Sequence, residues 1–237
     1  MLINVDLHIH TLRSGHAFNT IDECARWAKK KRLNCIGISD HGPAMVGAPH
    51  LGYFEVLPRL PKQIDEITML YGCEANILDS RGTLDVPNET AACLDYIMAG
   101  LHERTLYDGS SIKENTDALI FAMQKNHIDI ISHPYRSEFP IDVHDVVYCA
   151  KEKSVILEVN KMVFLNAIKR EDNSLLAELN KYIAIIIEAK AMCILGSDAH
   201  YAAEIGISRE EWALLNTWYD FSQIQFINNS IYSYLKK

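Results

Sequence analysis

Seven short apolar runs are spread over the chain, and each leads into a side chain able to bind a metal ion or polar ligand. The runs cover residues 2–7, 35–38, 67–73, 96–101, 128–131, 155–159 and 193–196. They deliver, in order, His8 and His10, Asp40 and His41, Glu74, His102, His133, Glu158 and Asn160, and Asp198 and His200. Runs this uniformly apolar fit strands covered on both faces, as in a parallel sheet. Amphipathic segments lie between them, and the alternation predicts repeated βα units. One helix is expected from Thr20, where Glu23 completes a capping box. Another is expected over 114–126, with Ala118, Leu119, Ala122 and Met123 on one stripe. In a parallel barrel the C-terminal strand ends converge on one face, so residues far apart in sequence meet in one pocket. The expectation is an α/β barrel forming one domain over residues 1–237, with no internal repeat and no linker that would divide it.

Spacing sharpens the pattern. Side chains two apart along a strand project to the same side. Asp6, His8 and His10 are therefore expected to face the pocket, with Leu7 and Ile9 facing the helices; Asp198 and His200 repeat the spacing. One histidine at a strand end is ordinarily a satisfied polar residue. Histidines at five strand ends, together with Glu74, are something packing has no reason to produce. With His16, in the loop after the first run, seven of the ten histidines fall in this constellation. Of the others, His50 follows a Gly-Ala-Pro loop at the expected pocket edge, while His127 and His144 sit near element boundaries.

Composition narrows the partners. A formal charge of −8 argues against a protein that holds nucleic acid through backbone phosphates. It leaves a small phosphorylated substrate open, because bound cations would reverse the sign inside a pocket. The run Lys29-Lys30-Lys31-Arg32 reads as the solvated end of a helix, complementing its dipole. The six cysteines show no C-x-x-C spacing, and Cys35, Cys73 and Cys193 lie within apolar runs as small hydrophobes. The opening shows no basic region or apolar signal core, and the greasiest stretch, 183–195, is interrupted by Glu188 and Lys190. A cytoplasmic protein with no membrane association is expected; a homo-oligomer is compatible with all of this.

At these residues the chain resembles the PHP (polymerase and histidinol phosphatase) family. Val5-Asp6-Leu7-His8-Ile9-His10-Thr11 and Gly196-Ser197-Asp198-Ala199-His200 are similar to its first and last motifs. Ser39-Asp40-His41-Gly42-Pro43, Gly72-Cys73-Glu74-Ala75-Asn76-Ile77 and Ile131-Ser132-His133-Pro134 are similar to its middle motifs. The Gly-Pro after His41, the Gly47-Ala48-Pro49-His50 loop and Leu157-Glu158-Val159-Asn160 resemble the YcdX-like phosphatase branch. The resemblance implies a distorted seven-stranded (βα)7 TIM-like barrel with three divalent metal ions, usually zinc, with manganese or iron also compatible. Carried over by motif, His8, His10, Glu74 and Asp198 would hold one ion. Glu74, His102 and His133 would hold a second, with Glu74 bridging, and His16, His41 and His200 a third. Tyr135, Ala199 and Arg13 depart from residues common in the family, and none of them removes a ligand.

The implied chemistry is hydrolysis of phosphate monoesters by a hydroxide held between two ions that share a carboxylate. Glu74, Asp198 and Asp40 are the expected catalytic residues. Asp6 and Asp40 would accept the far N–H of a ligating imidazole; Asp40 is alternatively a general acid for the leaving alcohol. Arg13, Arg104 and Arg136 lie close enough to ligands in sequence to grip phosphate. The rivals are a histidinol-phosphate phosphatase, a nuclease acting on DNA ends, an amidohydrolase, and a non-catalytic metal-binding domain.

Overall fold

The computed structural model describes residues 3–109 and 111–235, so Leu2 of the first expected run lies outside the described residues. Each of the seven runs forms a strand, and two further strands are only two residues long. In chain order the strands and helices are β1 (Val5–Ile9), α1 (Ile21–Lys30), β2 (Cys35–Ile38), α2 (Leu51–Val56) and β3 (Gln63–Ile64). Next come β4 (Ile67–Asn76), α3 (Asn88–Ala91), β5 (Tyr96–Gly100), α4 (Ile112–Lys125) and β6 (Ile130–Ile131). The chain continues through α5 (Val143–Lys153), β7 (Ile156–Asn160), α6 (Lys161–Lys169), α7 (Asn173–Ala189), β8 (Met192–Gly196), α8 (Arg209–Trp218) and β9 (Gln225–Phe226). The sheet order is β1-β2-β4-β5-β6-β7-β8-β9, parallel throughout, with β3 added antiparallel to β4. The sheet thus carries β3 and β9 beyond the seven expected strands. Its two ends approach each other at the mouth, where His10 N donates to Ala199 O (2.9 Å) and Ala199 N to His8 O (3.2 Å). The result is a curled parallel sheet, half of a barrel, with helices on its convex side.

Local sequence accounts for the helix starts. At α1, Thr20 Oγ1 accepts from Glu23 N (3.3 Å) and Glu23 Oε2 accepts from Thr20 N (2.8 Å), which satisfies both orphan donors. Helix α4 begins slightly earlier than expected, capped by Ser111, and buries Ala118, Leu119, Ala122 and Met123 as the stripe foretold. The apolar stretch at 183–195 is divided between the end of α7 and β8 by Lys190 in a left-handed conformation. No helix among the described residues is long and apolar enough to cross a membrane.

The period-two alternation of the strands sorts the core into two sides. Met69, Tyr71, Cys73, Ile97, Leu157 and Cys193 face the helices, in one large apolar cluster. Val5, Leu7, Leu70, Tyr96, Met98, Ile130, Ile156 and Ile194 form a second cluster on the concave face. Following the concave positions along each strand by twos runs from this plug to the mouth: Leu70 to Glu74, Tyr96 to His102, Ile156 to Glu158, Ile194 to Asp198. Apolar burial below therefore anchors a polar layer above.

One strand breaks the rule. In β1, Asp6 pairs with Ile36 while Ile9 pairs with Ile38, so β1 carries one residue more than its partner. Asp6 Oδ1 accepts from His8 N (3.2 Å) at that irregularity. The expectation that Asp6, His8 and His10 share one side is corrected here. Leu7 joins the concave plug, Ile9 packs with the helices, and the inserted residue still leaves His8 and His10 at the mouth.

Candidate metal centre

Glu74 lies at the middle of the polar layer, fully buried, on the exit half of β4. Its two carboxylate oxygens face different partners. Oε1 lies 3.1 Å from His102 Nε2 and 2.9 Å from His133 Nε2. Oε2 lies 3.2 Å from His8 Nε2, 3.3 Å from His10 Nε2 and 3.2 Å from His41 Nδ1. Asp198 Oδ1 completes the arrangement, 3.4 Å from His8 Nε2 and 3.2 Å from His10 Nε2. Burying a carboxylate is costly unless it is paired. Here one carboxylate is shared among five imidazoles.

The hydrogen bonds behind the rings fix which nitrogens carry protons. His8 Nδ1 is 2.7 Å from Glu158 Oε1, so it holds its hydrogen and leaves a lone pair on Nε2. His10 Nδ1 is 3.1 Å from Ser14 Oγ, whose own hydrogen goes to Asp40 Oδ1 (2.7 Å), so His10 also keeps its hydrogen on Nδ1. His8 Nε2 and His10 Nε2 then face each other at 3.1 Å, lone pair to lone pair, beside two carboxylates. Only a positive charge between them reconciles this. A tetrahedron with ligand bonds of about 2.0–2.1 Å has edges of about 3.3–3.4 Å, close to the separations found.

The electrostatics agree. Burial opposes ionisation of Glu74 and Asp198, yet the surrounding imidazoles hold both carboxyls well below the usual range. Burial likewise opposes charge on His8 and His10, but Glu158, Glu74 and Asp198 push His8 well up, and Asp198 and Glu74 push His10 up to about 9. Protons on these two rings thus balance the carboxylates as a bound cation would. His41, His102 and His200 go the other way, lowered chiefly by burial and kept as neutral donors. His41 Nδ1, Glu74 Oε2, His102 Nδ1 and His133 Nδ1 are buried without a hydrogen-bond partner. Among the described residues, four groups of three donors converge closely enough to hold an ion: His8/His10/Asp198, His8/Glu74/His133, His41/Glu74/His102 and His10/His41/His200. Imidazole and carboxylate donors suit zinc, manganese or iron, so the residues present fit divalent metal.

The remaining expected site residues are placed as follows. His16 lies at the exposed rim, its ring centroid 5.1 Å from that of His41 and 4.9 Å from that of His200. Asp40 is fully buried behind the histidines, with Thr11, Ser14 and Tyr53 on its oxygens, and reaches His10 only through Ser14. Asp6 touches no imidazole nitrogen; it accepts from the backbone of His8, Ser197 and Gly206 and braces the β1 and β8 ends. Arg104 and Arg136 line a cavity of about 740 Å³ that opens over His41, His102, His133, Asp198 and His200. Arg13 sits outside that cavity, over the Tyr53 ring at 5.8 Å.

Two partners were not assigned from sequence. Glu158 stands behind His8 and takes the role, accepting the far N–H of an imidazole, that was expected of Asp6; its signal was a carboxylate within an otherwise apolar strand. Ser14, the link to His10, gave no signal at all. Two of the candidate ligands sit in left-handed backbone, His133 (φ 24°) and Asp198 (φ 54°), a strained geometry that clusters at functional sites. A Cβ at Gly100 would collide with Ser132 Oγ and press on the rings of His133 and His102 at 3.1–3.2 Å.

The model of the PHP domain matches residues 6–220 of this chain. This chain belongs to the PHP family. It is 40% identical over 202 residues to a probable phosphatase of Clostridium botulinum, covering 85% of this chain and 81% of that protein. It is 39% identical over 208 residues to a probable phosphatase of Thermoanaerobacter, covering 87% of this chain and 82% of that protein. The fold is similar to the histidinol phosphate phosphatase of Lactococcus lactis, solved with zinc, L-histidinol and phosphate. That match has a TM-score of 0.65 at 17% identity, over 95% of this chain and 96% of the other. A chain of an archaeal ribonuclease P is similar in fold too, with a TM-score of 0.64 at 15% identity, over 97% of this chain and 88% of the other.

Proposed function

We propose that this PHP-family phosphatase hydrolyses phosphate monoesters of a small molecule, using three divalent ions, zinc in the first instance. The observation that carries the proposal is the set of lone pairs on His8, His10, Glu74 and Asp198, facing one another at 3.1–3.4 Å. In this reading those four residues hold one ion, and Glu74, His102 and His133 hold a second. His16, His41 and His200, whose rings lie together at the mouth, hold a third. The curled sheet is read as the open seven-stranded barrel of the family, extended by β3 and β9.

Divalent ions bound there would supply Lewis acidity toward phosphoryl oxygens and lower the pKa of a water to about 7. The protein groups do the rest. Glu74 divides its two oxygens between neighbouring positions, which fixes their spacing. Arg104 and Arg136, at the cavity wall, take the non-bridging phosphate oxygens or an anionic part of the leaving alcohol. Met45, Val46, Met162 and Val163 form an apolar side of the same cavity against which the alcohol packs. Asp40 acts through Ser14 on the orientation of His10.

The test is a screen of phosphorylated metabolites with protein stripped by a chelator and then reloaded with zinc or manganese. Turnover should vanish on stripping and return on loading. Activity indifferent to chelation would overturn the proposal, and single-stranded DNA turned over faster than small phosphomonoesters would favour the nuclease.

A further inference from the structure

We infer that Glu158 is a positioning residue that ties two metal-ligating positions together, His8 on one side and His133 on the other. The inference rests on the metal-dependent reading above and adds a residue that the ligand motifs leave out. Glu158 is 1% exposed, in the middle of β7. Its Oε1 takes the Nδ1 hydrogen of His8 at 2.7 Å, and its Oε2 accepts from the backbone N–H of His133 at 2.7 Å. Asn160 Nδ2, 3.2 Å from the same Oε2, also reaches Asp198 Oδ2 at 3.3 Å. One carboxylate therefore sets the tautomer of a ligand from β1 and holds the turn after β6 in the left-handed backbone that His133 adopts. The two face different oxygens of Glu74, His133 toward Oε1 and His8 toward Oε2, and the proposed reading assigns them to different ions.

The neighbouring strand is shaped for this contact. A Cβ at Gly196 would run into Glu158 Oε1 and come within 3.0 Å of His8 Cβ, so the β8 position beside the carboxylate must stay bare. On the other side a hydroxyl does the linking: Ser14 Oγ, donating to Asp40, lies 3.1 Å from His10 Nδ1 and accepts from the backbone N–H of His41 at 3.2 Å, so there the carboxylate acts at one remove.

Glutamine separates positioning from packing, because it keeps the shape and changes the donors. Its single carbonyl oxygen can satisfy His133 N–H and Asn160, or His8 Nδ1–H, but not both. With the oxygen toward the two donors, its NH2 faces His8 Nδ1 and drives that ring to the tautomer with hydrogen on Nε2, which cannot ligate. Loss of a partner behind a ligating imidazole typically costs about 10–100-fold in metal affinity. Glu158→Gln should therefore weaken zinc at the His8 position by about that factor. Glu158→Ala should weaken two zinc positions. Zinc content is read by mass spectrometry during titration with a competing chelator, and the His8 tautomer by nitrogen NMR of the zinc-loaded protein.

Zinc retained by Glu158→Gln at unchanged affinity would overturn the inference, as would Glu158→Ala losing a single equivalent. The wild-type spectrum tests it even if neither variant folds: His8 must show hydrogen on Nδ1, and hydrogen on Nε2 would refute it. Wild-type protein that takes up no zinc would instead refute the metal-dependent reading itself.

Discussion

Replacing Glu74 by glutamine probes the centre most directly, because the change keeps the shape and removes one charge. The carboxylate presents Oε1 to His102 and His133 and Oε2 to His8, His10 and His41, all at 2.9–3.3 Å. Glutamine offers one neutral carbonyl oxygen; its NH2 must point hydrogens at the other set of lone pairs, so one position is lost and the other loses its charge. Removing only a partner behind an imidazole costs up to about 100-fold in affinity. That sets a floor of about 100-fold, about 2.7 kcal/mol, at each of two positions. The assay is metal stoichiometry by mass spectrometry after dialysis against a buffered chelator, with circular dichroism to establish folding. More than one equivalent per chain should be lost together. A folded Glu74→Gln protein that loses one equivalent or none would refute the shared carboxylate.

Metal-free protein should become less stable as pH rises. His10 is raised from 6.5 to about 9 against the cost of its burial, and His8 is raised too; groups raised on folding stabilise fully below their unfolded pKa and lose that contribution as pH climbs through the folded value. The thermal midpoint of stripped protein should fall between pH 7 and 9 while that of zinc-loaded protein stays level; a flat profile for the stripped protein would count against proton substitution. Arg104→Ala and Arg136→Ala should raise KM about 10-fold or more while metal content stays unchanged, measured by steady-state kinetics and metal analysis. Loss of metal in either would place that arginine's role in the scaffold. Gly100→Ala should force Ser132 aside and crowd His133 and His102, seen as weaker zinc binding in a chelator titration; wild-type affinity would show that these side chains can yield.

The strand ends were legible because two local regularities coincide. Alternation by twos puts Glu74, His102, Glu158 and Asp198 on the concave face above Leu70, Tyr96, Ile156 and Ile194, whatever the rest of the chain does. Parallel strands then carry all those ends to the same rim. β4 runs on to Asn76, so Glu74 lies within the strand rather than after it, a consequence of pairing with β5, while Glu158 lies within β7 as it lay within the expected run.

The sequence by itself determined the kinds of ligand, their order along the chain and the face they share, since each follows from periodicity within one strand. Only the tertiary structure decided what stands behind each ligand. Asp6, next to the first pair of histidines, turns to the helix side because β1 carries an extra residue, whereas Glu158, 150 positions from His8, supplies the carboxylate. Ser14 links Asp40 to His10 across a loop that has no period to read, and Arg13 settles over Tyr53 instead of entering the cavity. Periodicity sets the side of a strand on which a residue lies, but the partner it meets depends on how distant segments close around it.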